Sequence, residues 1–281
     1  MKERIEGANY TVEFGSIGEF HSYIESTPFN SVYRNPGDRD SVYGSKSFTG
    51  TASYEEATDL LRNGWDYMAK ELNKKLEAKT KGMSKGTRNK MVYDIAGYQA
   101  SVPRYLQGIP TSMINSKKVP VKQKVVTINK SIAYRCGTTT EEILEESAKA
   151  LQIIKKIESQ GTKVNLNVVI GVTSGLYKKP GSSFNFGEGK KFVIKVRVKN
   201  ANERLNVAKL AFCLVNPSMY RRIGFRFFEV YEHTPLSFQY TYGYPIMDTR
   251  GLNEFCKNEY ILPPLFNKSV ESLTDIEEFR A

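Results

Sequence analysis

Basic side chains are the residues in this sequence with the clearest chemical use, because lysine and arginine bind phosphate and carboxylate groups. One set is dense between residues 70 and 90, and a second set occupies the alternate positions 195, 197 and 199. If both sets shared a face, they would contact about six phosphates of a nucleic acid. Two interpretations stay open: a surface that binds nucleic acid or an acidic partner, or a merely solvated basic surface, which is the simpler one. The candidate residues of this surface are Lys74, Lys75, Lys79, Lys81, Lys85, Arg88, Lys90, Lys195, Arg197 and Lys199.

A glycine-rich stretch at residues 171–191 suggests a phosphate-binding loop, but its spacing does not fit one. Such a loop requires a glycine where Phe184 stands, and Lys190 is followed by Lys191 rather than by serine or threonine. We expect a flexible excursion between two strands instead. The two histidines and three cysteines lie far apart, and common hydrolase signatures are missing. The sequence predicts no catalytic residue, no metal and no cofactor.

The composition is that of a globular chain with an excess of positive charge. A length of 281 residues fits either one large domain or two smaller ones. A composition that is 40% hydrophobic and 12% aromatic is typical of a chain that folds. The net charge of +11 favours a polyanionic or acidic partner. No apolar stretch is long enough to span a membrane, and the first residues lack the apolar core of a secretion signal. We expect an intracellular protein that does not bind membranes.

Apolar spacing predicts the elements of the first 120 residues. Residues 17–26 and 53–78 are expected to form helices, with the single tryptophan, Trp65, in the core. Residues 79–90 are rich in glycine and lysine and are expected to form a mobile basic loop. Residues 97–120 contain three prolines among apolar residues, which predicts an ordered, extended segment that lies across the fold.

The second half of the chain alternates between strand and helix patterns. Strands are expected at residues 124–132, 164–172 and 192–199, and helices at residues 139–161, 202–215 and 217–230. Strict alternation at residues 192–199 predicts an edge strand with one solvated face. A β-prone stretch at residues 238–246 and an acidic helix from about residue 273 follow.

These elements predict an α/β fold with a mostly parallel sheet flanked by helices, preceded by a smaller helical N-terminal region. The expected regions are a mostly helical region with the basic loop at residues 1–96, the extended segment at 97–120, the α/β domain at 121–250 and a tail at 251–281.

The order of strands and helices in residues 121–250 resembles a von Willebrand factor A domain. Such domains bind a metal through Asp-x-Ser-x-Ser at the end of the first strand, and the run here is Asn129-Lys130-Ser131-Ile132-Ala133. An amide replaces the carboxylate, an alanine replaces one serine, and Lys130 adds a positive charge. The resemblance therefore implies an A-like domain whose metal site is degraded at Asn129 and Ala133, although Ser131 is retained.

A second resemblance covers most of the chain. The segments Phe48-Thr49-Gly50-Thr51, Val102-Pro103-Arg104-Tyr105 and Glu141-Glu142-Ile143-Leu144, together with residues 55–65 and 110–115, resemble an uncharacterised family of bacteriophage-encoded proteins. This resemblance implies that the protein acts in the cytoplasm of an infected host.

Two functions from different classes remain open. The first is a non-enzymatic protein that binds a host or viral protein or assembles with its own copies, since A domains mostly bind proteins. The alternative is a nucleic-acid-binding protein in viral replication or packaging, which the positive charge favours. An enzyme whose site is assembled from distant residues is a third, less favoured reading.

Overall fold

A computed structural model describes residues 1–29, 46–80, 90–117, 124–174, 189–238, 242–247 and 249–265. The strands are β1 (Lys2–Glu6), β2 (Asn9–Phe14), β3 (Lys90–Asp94), β4 (Gln99–Ala100), β5 (Met113–Lys117), β6 (Val125–Ser131), β7 (Lys163–Thr173), β8 (Lys191–Lys199), β9 (Tyr244–Pro245) and β10 (Tyr260–Leu262). The α-helices are α1 (Ile17–Ser26), α2 (Lys46–Thr49), α3 (Tyr54–Asn63), α4 (Asp66–Thr80), α5 (Val102–Leu106), α6 (Thr140–Ser159), α7 (Val207–Val215), α8 (Phe225–Val230) and α9 (Arg250–Asn253). The acidic helix expected from residue 273 lies outside the described residues, as does most of the glycine-rich excursion.

The main sheet is mixed, with the strand order β1-β2-β8-β7-β6-β10 and β9 paired beside β7. The pairs β2/β8, β6/β7 and β6/β10 are parallel, whereas β1/β2, β7/β8 and β7/β9 are antiparallel. The expected α/β class is confirmed, but the expected mostly parallel sheet is half antiparallel. The difference arises because β8 and β9 run antiparallel to β7, and a hairpin from the expected helical N-terminal region adds one antiparallel and one parallel pair beside β8.

Strand β8 lies inside the sheet, so the prediction of an edge strand is wrong. It pairs with β2 on one side and with β7 on the other. The alternation that suggested a solvated face is also interrupted, because the register between β7 and β8 shifts at Leu166 and Asn167. This β-bulge places Lys199 opposite Leu166, on the other face from Arg197.

Helices cover one face of the main sheet and form its principal core. Helix α1 lies against β8 and α6 lies against β7, while Phe227 of α8 contacts Phe14 and Phe192 edge to face. Thr139 caps the start of helix α6, where the expected capping box with Glu142 is confirmed. Helix α4 packs against α6 and α7 in a further layer. None of the described helices is long and apolar enough to cross a membrane.

The opposite face of the sheet is covered by the segment that contains α9. Val169 and Val193 of the sheet pack with Ile246, Leu252 and Phe255 in a second, smaller apolar cluster. The C-terminal part of the described chain therefore closes this face and continues into β10 at the edge of the sheet.

The expected helix over residues 53–78 is interrupted. Ser53 caps α3 as expected, but α3 ends at Asn63, Gly64 has a φ of 88°, and α4 begins at Asp66. A side chain at Gly64 would crowd the carbonyl of Ala208, so the glycine also permits α3 to approach α7. Trp65 lies in the break and is half-buried against the core.

Residues 90–117 form a small separate sheet instead of an extended segment. Its strand order is β3-β5-β4, all pairs are antiparallel, and α5 follows β4. We call these strands with α5 the small sheet.

Candidate functional site

The small sheet exposes a concentration of apolar and aromatic side chains. Among the described residues thirteen large hydrophobic side chains are exposed, and seven of them fall within residues 91–106. Ser112 is the one buried residue of positions 91–116, and no residue of the small sheet belongs to either apolar cluster of the main fold. The seven side chains are between 53% and 78% exposed: Met91, Tyr93, Ile95, Tyr98, Val102, Tyr105 and Leu106.

Within the small sheet, Arg104 holds helix α5 against strand β3 and the segment before β5. The Arg104 guanidinium lies 4.3 Å from the centre of the Tyr93 ring and donates to the carbonyl oxygen and the hydroxyl of Thr111, at 3.1 and 3.2 Å. Val102, Tyr105 and Leu106 are spaced by three and one positions, so they share one side of the helix and point away from the rest of the chain. Helix α5 therefore exposes an apolar side while Arg104 holds its opposite side in place.

Residues 95–98 connect β3 to β4, which lie on either side of β5. Gly97 approaches the carbonyl of Ile114 so closely that a Cβ would overlap it. The Tyr98 amide donates to the Ile114 carbonyl at 3.0 Å, and the Asn115 side chain donates to the Ala96 carbonyl at 3.1 Å. The exposed side chains on either side of this connection are thus presented by backbone that is hydrogen-bonded to β5.

The positions that resemble a degraded metal site are packed inside the fold. Asn129, Ser131 and Ala133 have no exposed surface. Asn129 donates to Glu259 at 2.9 Å and accepts from Asn167 at 2.8 Å. Among the described residues, no three His, Cys, Asp or Glu side chains lie close enough together to hold a metal ion.

The charge of Lys130 lies away from the hydrogen bonds that Asn129 makes with Glu259 and Asn167, because adjacent residues of a strand point to opposite faces of the sheet. Its amine lies on the helical side of the sheet and donates to the carbonyl oxygens of Pro263 and Pro264, at 2.6 and 2.8 Å. The side chain is fully buried, and burial lowers its pKa to about 7, although Glu146 acts in the opposite direction. Lys130 therefore fixes the segment that follows β10.

The three basic residues of β8 do not form the solvated surface that alternation predicted. Lys195 is 5% exposed and pairs with Glu13 and Glu259 at 3.1 and 3.0 Å, and Lys199 is 2% exposed and pairs with Glu158 at 2.6 Å. Burial alone would lower the pKa of Lys195, but its neighbours, including Cys256 and both carboxylates, outweigh burial and raise it. The distant carboxylates that neutralise these lysines leave no signal near them in the sequence.

Arg197 is the member of this set that remains half-buried. Its Nε donates to the side-chain oxygen of Asn167 at 2.5 Å, which links it to Asn129. Lys195 and Arg197 lie on the face of the sheet opposite the helices, whereas Lys199 has crossed to the helical face at the bulge.

The basic residues between positions 70 and 80 lie on α4, which packs against α6 and α7. Lys74 is exposed, and Lys75 is half-buried and pairs with Glu145 of α6 at 3.3 Å. The structure therefore does not bring these two residues together with Lys195 and Arg197. Helix α4 includes position 79 and strand β3 begins at position 90, while Lys81, Lys85 and Arg88 lie outside the described residues.

The exposed small sheet was missed by sequence reasoning, which read residues 97–120 as an extended segment. A signal was present: Met91, Tyr93 and Ile95 occupy alternate positions in β3 and just after it, and Tyr105 with Leu106 follows Val102 at helical spacing. Such patterns indicate one-sided elements but do not indicate whether the molecule itself covers that side.

Comparison with known proteins gives a family and no activity. A family model described as a domain of unknown function (DUF7192) matches residues 2–281. No curated protein and no solved structure matches the chain.

Proposed function

Because the chain belongs to the DUF7192 family, whose description assigns no activity, we propose its function from its own structure: it is a non-enzymatic protein-binding factor that docks through the small sheet. The observation that carries this proposal is the cluster of seven exposed apolar side chains within residues 91–106. Exposed apolar patches of this kind characterise protein-binding surfaces.

The physical argument rests on what a sheet needs to be stable. Three short strands require an apolar face packed against another layer. Here the cross-strand pair of Tyr93 and Ile114 and the apolar side of α5 have no such layer from the main fold among the described residues. A protein partner would supply it, and aromatic side chains such as Tyr93, Tyr98 and Tyr105 are enriched at such interfaces.

The net charge indicates what kind of protein would bind. Two copies that each carry +11 repel one another, whereas an acidic protein surface is attracted. We therefore favour an acidic host or viral protein as the partner, and self-association is a distinct outcome of the test below.

The setting of this function follows from the two resemblances. The family match supports the expectation of an uncharacterised family, while a bacteriophage origin and action in the host cytoplasm belong to the proposal. The β6–α6–β7 unit has two parallel strands joined by a helix, as an A domain would, and it supports the A-like assignment that we also propose.

A matched pair of tyrosines tests the proposed surface. Tyr105 on α5 and Tyr67 on α4 are each 71% exposed, so replacing either by serine removes the same chemistry. We expect Tyr105→Ser to weaken capture of a partner from infected-host lysate by at least about tenfold, as truncation of a central aromatic residue does. Tyr67→Ser should capture as wild type does, and light scattering of all three proteins reports self-association.

Equal capture by both variants, or capture of no specific protein together with monomeric behaviour, would contradict the proposal. A salt series on short DNA and RNA tests the alternative, nucleic-acid binding. That function predicts an affinity that falls roughly a thousandfold between 50 and 200 mM salt, and lack of binding at 50 mM salt excludes it.

A further inference from the structure

A pocket of about 520 Å³ lies where the end of β8 meets α1, α3 and α7. Three basic residues from three different elements line it: Arg62 at the end of α3, Arg197 of β8 and Lys209 of α7. Although Arg197 belongs to the face of β8 opposite the helices, it lies one residue past the end of the pairing with β2 and so lines this pocket at the edge of the sheet. This volume falls within the range typical of small-molecule sites. The pocket is separate from the small sheet and plays no part in the function proposed above.

The basic side chains that line this pocket are available to a ligand. None of the ion pairs among the described residues involves Arg62, Arg197 or Lys209. The one carboxylate in the pocket wall, Glu203, accepts hydrogen bonds from the backbone and side-chain amides of Asn200, at 3.0 and 3.1 Å. These hydrogen bonds, and then the charge of Lys209, lower the pKa of the Glu203 carboxyl. Three cations thus face one carboxylate, whose hydrogen-bonding oxygens are already used by Asn200 and whose charge offsets part of that of Lys209.

Arg197 is also held in a defined orientation. Its Nε is committed to Asn167, and Asn167 in turn donates to Asn129, which is buried and bonded to Glu259. The bond through Nε fixes the plane of the guanidinium, while the two terminal nitrogens remain for a second acceptor. A guanidinium fixed in this way suits two-point binding of a phosphate.

His21 completes the polar wall. Its Nε2 is buried and makes no hydrogen bond to any described residue. Burial, and then the charge of Arg62, lower its pKa, so the neutral imidazole is favoured. The backbone amides in the first turns of α1 and α7 are not the basis of the site. The side chains of Ser16 and Asn206 already accept hydrogen bonds from amides of these two turns.

We propose that this pocket binds a small phosphorylated molecule of about the size of a nucleotide. The phosphate lies between Arg197, Arg62 and Lys209, and the apolar part of the ligand contacts Leu61 and Val198 of the same wall. A pocket of this volume, bounded by four elements, suits a compact ligand better than the extended backbone of a nucleic acid.

Isothermal titration calorimetry with the full chain tests the site. The probes are inorganic pyrophosphate, ADP, adenosine and a short single-stranded DNA. We expect saturable binding of pyrophosphate or ADP and at least about tenfold weaker binding of adenosine, which lacks the phosphate. Arg197→Gln and Lys209→Gln should each weaken binding of the phosphorylated probe about tenfold.

Arg204→Gln is the matched control, because Arg204 is exposed on the neighbouring turn but does not line the pocket. Its binding should equal that of wild type. Lys209 is exposed, so Lys209→Gln remains a valid test even if Arg197→Gln perturbs the fold. Lack of saturable binding of both phosphorylated probes, an equal loss in Arg204→Gln, or tighter binding of DNA than of ADP would overturn the proposal.

Discussion

Replacing Lys130 by methionine tests whether a lysine in the core loses its charge at mildly alkaline pH. Lys130 has no exposed surface, and its amine donates to the carbonyl oxygens of Pro263 and Pro264. A neutral amine still has two hydrogens for these two carbonyls. Methionine keeps a long, apolar side chain in the same space but cannot bind a proton.

The expected pH dependence follows from the pKa of Lys130, which burial lowers from 10.5 to about 7 in the folded protein. Between these two pH values the unfolded chain binds more protons than the folded chain, so stability rises with pH. Below pH 7 both states carry the proton, and the full cost of burying the charge is present. Between pH 7 and pH 9, linkage gives a rise of about 2 kcal/mol in the free energy of unfolding from this residue.

Urea unfolding at pH 7 and pH 9, followed by the fluorescence of Trp65, measures this rise. Wild type should gain about 2 kcal/mol more than Lys130→Met between the two pH values, because all other titrating groups are common to both proteins. Lys124→Met, which removes an exposed lysine immediately before β6, should behave as wild type does. Equal changes with pH in wild type and Lys130→Met would show that Lys130 does not lose its proton in this range.

Two glycine substitutions test the backbone of the small sheet and of the main fold. Gly97→Ala should destabilise the small sheet by about 1–3 kcal/mol, because the added Cβ would overlap the Ile114 carbonyl. Hydrogen exchange of the amides in residues 90–117 should then accelerate at least about tenfold, and unchanged exchange would refute this. Gly50→Ala should cost about 2 kcal/mol, because φ is +87° and a Cβ would overlap Asn216, and thermal unfolding should report the loss; an unchanged midpoint would contradict it. Gly137→Ala is the control for both, since nothing lies within 4 Å of its Cβ position.

Local patterns in the sequence predicted most individual elements. Helix α1 begins and ends at the expected residues, α6 starts at the expected capping box, and β6 falls within the expected strand. These elements were predictable because their determinants, apolar periodicity and side-chain caps, lie within about four residues of each other.

Features that depend on distant residues were not predictable. Strand β8 is internal because β2, from the start of the chain, pairs with it, and Lys195 is neutralised by Glu13 and Glu259. The candidate surface shows the same limit. The sequence shows apolar residues between the prolines of residues 97–120, but only the tertiary structure shows that the main fold leaves several of them exposed.

The net charge of +11, the feature that most favoured a nucleic-acid partner, is partly an internal property of the fold. Two buried side chains are acidic, Glu146 and Glu229, whereas six are basic: Lys130, Lys195, Lys199, Arg221, Arg222 and Arg226. Four of the eleven excess charges therefore belong to buried side chains of the described residues. Arg222, for example, donates to the carbonyls of Thr51 and Ala52, at 3.0 and 3.1 Å, and so joins that segment to the π-helix at Met219–Gly224. Because buried cations that serve packing cannot also contact a phosphate backbone, the total charge overstates the case for nucleic acid and leaves the exposed small sheet as the stronger guide to function.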